Sequence, residues 1–347
     1  MKIGILTFYF PYNYGAVLQA FALQTVLRGN GYDTEVVPYY PRNFKMAYSV
    51  SPLESGISFK HRLSNAYHYQ QRIEQSKKFD SFRHDLLIDD EFDKDFATHV
   101  KKYDCIIYGS DQIWNTEINY DDPVYFGADF KGVKISFAAS MGKVSPVEKQ
   151  KEYVQKYLPE FQSISVREET TGRIVGELTG KETTTVCDPV FLLDKEEWVR
   201  NETRIDVDSK YLLVYMLADD DKLLSAAVDY AKKSNLTVYN IHPTFAKDYP
   251  GTKPLRNVGP REFLYLMDHA EAVCTNSFHC VAFSLIFEKK LFHVPNKKSP
   301  ERTISLLSKI GVDASQMDLT TPVQLAITEE FSKYSDESLK FLINALQ

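Results

Sequence analysis

No run in the 347 residues approaches the roughly 18 uninterrupted apolar residues that a membrane-spanning helix needs. The amino terminus, MKIGILTFYFPYNYG, follows its short apolar run with aromatics and Asn rather than a small-residue cleavage site, so it reads as a first strand and not as a secretory leader. A soluble, cytoplasmic chain is expected. There is no excess of basic residues. With 41 Lys+Arg against 47 Asp+Glu the net charge is -6, which argues against a general nucleic-acid binder while leaving room for local basic pockets. Cysteine is sparse: Cys105, Cys187, Cys274 and Cys280 each sit inside an apolar segment and read as buried reduced thiols. Low-complexity linkers are absent too.

What is present is an alternation of short β-branched runs with longer helical periods. KIGILTF reads as a buried strand, and a helix follows from about Gly15 to Arg28 with Ala16, Ala20, Leu23 and Leu27 on one face. GNGY stops that helix and DTEVVPYY supplies the second strand, a βαβ opening that implies a parallel sheet. From Pro41 to about Val100 the text turns charged, aromatic and helical. This is expected to be an insertion covering one side of the first domain, either a docking face for a membrane-bound or sugar acceptor or a solvated helix. Strands resume at YDCIIYG, KISFAAS and SISVRE, and again at YLLVYML, LTVYNIH, AEAVCTN and KLFHVP, with helices starting near Asp219, Pro260 and Ser277. The polar interval DKEEWVRNETRIDVDSK divides them. The expected organisation is α/β: a Rossmann-like domain at 1–195 with the insertion at 41–100, a second at 205–325, and a C-terminal helix at 326–347. Two doubly wound sheets facing a cleft place ligands at their strand carboxyl ends.

The residues that follow each strand are therefore the candidates. In PYNYGAVLQ, Asn13 and Gly15 either let backbone N–H groups approach an anion or sugar hydroxyl, or form an ordinary capped turn. In YGSDQIWN, Asp111 offers a general base and Trp114 a face for a sugar; a capped turn with a core tryptophan fits the same residues. Arg167, emerging from SISVRE, suits a carboxylate or phosphate, or is neutralised by Glu168. In VCTNSFHCVAFSLIFEKK, Ser277 to His279 fall in the first turn of a helix, where free N–H groups and the dipole attract an anion, and Asn276 or Ser277 is the natural cap. Cys280, adjacent to His279, points about 100° away on the helix, which disfavours a zinc site and a Cys-His nucleophile alike.

Taken in order, YNYGA, GSDQIWN, SVREE, CDPVFLL, VGPREFLYLMDHAEAVCTNSFHCVAFSLIFEKK and RTISLL resemble the polysaccharide pyruvyl transferase family over nearly the whole length. The resemblance implies a GT-B-like fold and transfer of the enolpyruvyl unit of phosphoenolpyruvate to a sugar, forming a ketal and releasing phosphate. No cofactor is expected, phosphoenolpyruvate being a co-substrate, and no metal motif is visible in the sequence. The implied acceptor is a galactose or N-acetylhexosamine residue of a lipid-linked repeat unit, for capsular polysaccharide or exopolysaccharide, met at the inner membrane. By matching position Arg167 and His279 bind the donor, with His279 the acid and Asp111 the base; Asn276 and Ser277 join the donor side. Asn13, Gly15, Ser110, Asp111, Gln112, Trp114 and Asn115 form the acceptor side. Several members carry arginine where this chain has Ser277, and Arg302 of RTISLL is expected to supply the missing cation. A nucleotide-sugar glycosyltransferase and a non-catalytic glycan-binding protein are the alternatives.

Overall fold

A computed structural model describes residues 1–39, 68–85, 95–142, 144–241 and 249–347. The first six strands are β1 (Lys2–Leu6), β2 (Asp33–Val36), β3 (Cys105–Tyr108), β4 (Val133–Ala139), β5 (Ser163–Val166) and β6 (Thr184–Thr185). They form one sheet in the order β2-β1-β3-β4-β5-β6, parallel throughout. Parallel strands are covered on both faces, so their sequences are continuous apolar runs rather than alternating ones; every residue of CIIY in β3 is buried. Helices α1 (Tyr14–Gly29), α2 (Tyr69–His84), α3 (Glu148–Tyr157) and α4 (Glu169–Thr179) belong to this half of the sequence. Asn13 caps α1 by accepting from the Ala16 N–H at 3.3 Å.

The second sheet holds β7 (Tyr211–Tyr215), β8 (Thr237–Ile241), β9 (Lys253–Pro254), β10 (Ala272–Thr275), β11 (Lys290–His293) and β12 (Val323–Gln324). Its order is β12-β11-β10-β7-β8-β9, with only β12 antiparallel to its neighbour. The accompanying helices are α5 (Asp221–Lys233), α6 (Pro260–His269), α7 (Phe278–Ile286), α8 (Glu301–Ser308) and α9 (Glu329–Ala345). Each sheet has one point where successive strands are added in opposite directions: between β1 and β3 in the first and between β7 and β10 in the second. Crevices form outside the strand carboxyl ends at such points. The loops at these ends are those following β1, β3, β7 and β10.

The two halves share a core. Tyr14 of α1 stacks on Phe263 of α6 at 4.5 Å and 8°, and its hydroxyl donates to the Val258 carbonyl at 3.0 Å. Helix α2 joins this seam instead of covering the first sheet alone: Phe79 and Phe82 are buried among residues of α1, α6 and α7, and Lys78 pairs with Glu262 at 2.7 Å. The apolar side chains of α2 recur three residues apart and need a groove, which α1 and α6 together provide. Of the expected insertion, residues 41–67 and 86–94 lie outside the described residues. Helix α9 also spans both halves, with Phe331 against Phe191 and Leu342 in the core of the first sheet. No described helix is long and apolar enough to cross a membrane. All four cysteines are free and buried, and burial pushes the thiols of Cys105, Cys187 and Cys280 up to about 12, which removes them as nucleophiles.

Candidate active site

Arg167 leaves the end of β5 into the space between the sheets and is only 5% exposed. Two edges of its guanidinium are fixed: Nε donates to Glu168 Oε1 at 3.0 Å and Nη1 to Asp188 Oδ2 at 2.7 Å. Burial alone would weaken the cation, but the carboxylates of Glu168, Asp188 and Asp111 outweigh it and raise the pKa. Asp188 is the hub beneath the site. Burial acts to raise its pKa, but His279 and Arg167 hold it well below the usual carboxylate range. Its Oδ1 accepts from the Val190 N–H at 3.2 Å, while Oδ2 also accepts from Ser110 Oγ at 3.0 Å and lies 3.5 Å from His279 Nε2.

His279 sits in the first turn of α7, and its ring lies against Gly15 in the first turn of α1. A Cβ at Gly15 would lie 2.1 Å from His279 Nδ1, so only glycine permits this approach. The ring of Phe278, beside it, meets two guanidiniums, Arg167 at 4.3 Å and Arg302 at 4.8 Å from its centroid. Arg302 enters from α8. Burial and then the Arg167 charge lower its pKa to about 10, which still leaves it cationic at neutral pH.

The loop after β3 brings Asp111 opposite. Gly109 has φ +123, and a Cβ there would meet the Phe137 carbonyl oxygen at 2.3 Å. Buried Gln19 of α1 anchors the turn, accepting from the Ser110 N–H at 3.2 Å and donating to Thr7 Oγ1 at 2.9 Å. Asp111 itself has φ 70, and its Oδ1 accepts from the Gln112 N–H at 2.8 Å. Arg167 Nη2 is 3.9 Å and Arg302 Nη2 3.7 Å from that oxygen.

Asp111, Phe278, His279 and Arg302 line a cavity of about 130 Å³ that Asn13, Ser277 and Gln112 complete, and Arg167 stands behind Asp111. A neighbouring cavity of about 390 Å³ shares Gln112, Phe278 and Arg302 with it and adds Asn115, Asn296 and Lys298. Of the residues expected from sequence, the structure brings together Arg167, His279, Asp111, Arg302, Ser277, Asn13, Gly15 and Gln112, with Asn115 on the larger cavity. Three expectations are corrected. Trp114 is fully buried and donates through Nε1 to the Tyr125 carbonyl at 3.1 Å, so its indole belongs to the core and offers no face to a sugar. Ser110 is fully buried and its hydroxyl is taken by Asp188 and the Ala138 carbonyl, making it a brace and not an acceptor contact. Asn276 lines the larger cavity, but its amide is committed to the loop after β7: Oδ1 accepts from the Leu217 N–H at 2.8 Å and Nδ2 donates to the Ala218 carbonyl at 2.6 Å. Sequence reasoning missed Asp188, Phe278 and Gln19. Only Asp188 had a visible sign, a carboxylate before Pro189 in a buried run, and that sign reads as a cap.

Two facing α/β sheets with a cationic pocket between their strand ends define a GT-B-like protein. The S. aureus MnaA-UDP co-structure shares the fold, with a TM-score of 0.50 at 9% identity, covering 99% of this chain and 97% of that one. UDP-GlcNAc 2-epimerase from Neisseria meningitidis gives 0.48 at 10% identity over 100% and 99% of the two chains. Anabaena Alr3699/HepE in complex with UDP and glucose gives 0.45 at 11% identity over 100% and 99%. No curated protein matches the chain in sequence. The family model for polysaccharide pyruvyl transferase matches residues 13–298, and the chain belongs to that family.

Proposed function

We propose that the protein transfers the enolpyruvyl unit of phosphoenolpyruvate onto a sugar, bridging two hydroxyls as a pyruvate ketal and releasing phosphate. The observation that carries this reading is that Arg302, His279 and Asp111 line one small cavity, with Arg167 directly behind Asp111 at 3.9 Å, in a member of this family. A donor with both a carboxylate and a phosphate needs at least two cations and a proton source. Arg167 and Arg302 serve as the cations, Arg302 standing in for the arginine that Ser277 replaces. His279 turns Nε2 toward Asp188, which leaves Nδ1 to deliver the proton. Proton transfer to C3 of the donor makes C2 electrophilic. An acceptor hydroxyl adds there as Asp111 takes its proton, phosphate leaves, and the second hydroxyl closes the ketal. One hydroxyl proton replaces the one delivered to C3 and the other departs with phosphate. No redox change occurs and no cofactor is required.

The acceptor in this reading is a galactose or N-acetylhexosamine of a lipid-linked repeat unit, met at the cytoplasmic face of the membrane. The first half of the chain, 1–195, serves as the acceptor side and 205–325 as the donor side. The amides of Gln112, Asn115 and Asn296 in the larger cavity suit sugar hydroxyls. The test is incubation with phosphoenolpyruvate and lipid-linked galactosides or N-acetylhexosamines, following phosphate release and acceptor mass. Transfer should appear and should vanish in His279→Ala. Tight binding of uridine diphosphate with no consumption of phosphoenolpyruvate would instead make this a nucleotide-sugar enzyme.

A further inference from the structure

The geometry points to Asp111 as a built-in competitor for the donor's anionic group: its carboxylate occupies the anion position in the free enzyme and must leave before the donor can bind. This inference rests on the donor reading above. Asp111 Oδ1 sits where an anion would, 2.8 Å from the Gln112 N–H, 3.7 Å from Arg302 Nη2 and 3.9 Å from Arg167 Nη2. The two guanidinium contacts are ion-pair distances and too long for hydrogen bonds. Consistent with that, Arg167 Nη2 is buried with no hydrogen-bond partner among the described residues; Arg302 Nε is likewise unpartnered, 3.9 Å from Glu168 Oε1. Buried donors without partners are costly, and ones that converge on a cavity are suited to a ligand.

The three carboxylates near Arg167 are not equivalent. Asp188 and Glu168 are held by hydrogen bonds at 2.7 and 3.0 Å, and their side chains are 0% and 5% exposed. Asp111 is 15% exposed, and the hydrogen bond its carboxylate accepts comes from the adjoining N–H. Its backbone is held independently, since its carbonyl accepts from the Ser140 N–H at 3.0 Å. The side chain can therefore turn away while the main chain stays. When it does, three N–H groups become available to the donor, and the carboxylate is released beside the Gln112 edge common to both cavities, where an acceptor hydroxyl needs its base. Donor binding and delivery of the base become one event. If the carboxylate holds the site nine-tenths of the time, the apparent donor affinity falls about tenfold.

The experiment is calorimetric titration of phosphoenolpyruvate, and separately of inorganic phosphate, into the wild type, Asp111→Asn and Asp188→Asn. Asn tolerates the φ of 70 at this position. D111N should bind phosphoenolpyruvate about tenfold more tightly and lose transfer, while D188N, having lost the group that orients Arg167, should bind it more weakly. Equal or weaker binding by D111N overturns the inference. Equal tightening in both variants also overturns it, because removal of negative charge alone would then explain the effect. If phosphoenolpyruvate binds neither wild type nor D111N while phosphate binds D111N more tightly, the competitor stands and the donor reading falls. If neither ligand binds any of the proteins, both fall. Asp111→Ser carries the same expectation should D111N fail to fold.

Discussion

One methyl group should separate helix stability from function at this site. In Gly15→Ala the new Cβ would meet His279 Nδ1 at 2.1 Å, Cγ at 2.2 Å and Cβ at 2.6 Å, where ordinary contact begins near 3.4 Å. A ring tip alone could rotate aside, but the His279 Cβ moves only with the backbone of α7. The imidazole and the α1–α7 contact must therefore separate by about an ångström, a displacement that costs roughly a hundredfold where positioning matters. Alanine is also a better helix former than glycine by up to about 1 kcal/mol. Overpacking costs about 1–3 kcal/mol, so global stability should fall by no more than about 3 kcal/mol. Donor binding should weaken by about ten- to a hundredfold, the worth of one charge-assisted hydrogen bond. Gly29→Ala in the same helix is the control, because a Cβ there meets nothing within 4 Å; it should leave binding unchanged. Calorimetric titration of phosphoenolpyruvate and urea unfolding of both variants provide the readouts. If Gly15→Ala bound the donor within twofold of wild type with an unchanged or raised unfolding midpoint, the proposed packing of α1 against His279 would be wrong.

Arg302→Ala should weaken donor affinity at least about tenfold, and adding Ser277→Arg should recover part of the loss; unchanged affinity in the single variant refutes the assignment of the second cation. Trp114→Phe should cost about 1–3 kcal/mol of stability through the orphaned Tyr125 carbonyl yet leave the acceptor KM unchanged, and a raised KM would restore Trp114 to the acceptor site. His293 bridges the Thr275 carbonyl at 2.9 Å and Thr303 Oγ1 at 3.0 Å, and burial lowers its pKa from 6.5 to about 4. The unfolded chain therefore binds the extra proton first. Stability from the neutral ring is complete above about pH 6.5 and is lost as pH falls toward 4, by up to about 3 kcal/mol. Urea midpoints across that range should slope in the wild type and flatten in His293→Gln; equal slopes would exclude His293 as the source.

The strands were legible because parallel sheets bury both faces, so runs such as CIIY and YLLVY announce themselves without knowledge of their partners. Asp111, Arg167 and His279 were legible for a related reason: a polar residue at the edge of an apolar element must either cap it or face a cleft; Arg302 came into view only through the family resemblance and its missing cation at Ser277. Such local evidence has a limit, and Asp188 shows it. The sequence DPV reads as a cap, and Oδ1 is indeed a cap, but Oδ2 joins Ser110, Arg167 and His279, residues 78, 21 and 91 positions away. Trp114 shows the converse, since residue type cannot tell whether an indole at a strand end turns inward. Helix α2 was assigned by its charged text, but its position follows from Phe79 and Phe82 and from a groove built by two distant helices.

Three carboxylates around a site proposed to bind an anionic donor look contradictory until their directions are compared. Glu168 and Asp188 take the Nε and Nη1 edges of Arg167, leaving Nη2 for a ligand. Their charge is spent on keeping a fully desolvated guanidinium ionised and its plane fixed, against a burial cost that would otherwise weaken it. Phe278 gives both guanidiniums an aromatic face, which favours each cation. Replacing Glu168 or Asp188 by a neutral residue would therefore cost positioning more than it relieved repulsion. Asp111 alone opposes an incoming anion directly, and it alone has the freedom to yield. The field that a donor meets is then set by the position of one side chain, which is why the sign of the D111N effect on affinity, rather than its loss of turnover, distinguishes a competitor that moves from a base that stays in place.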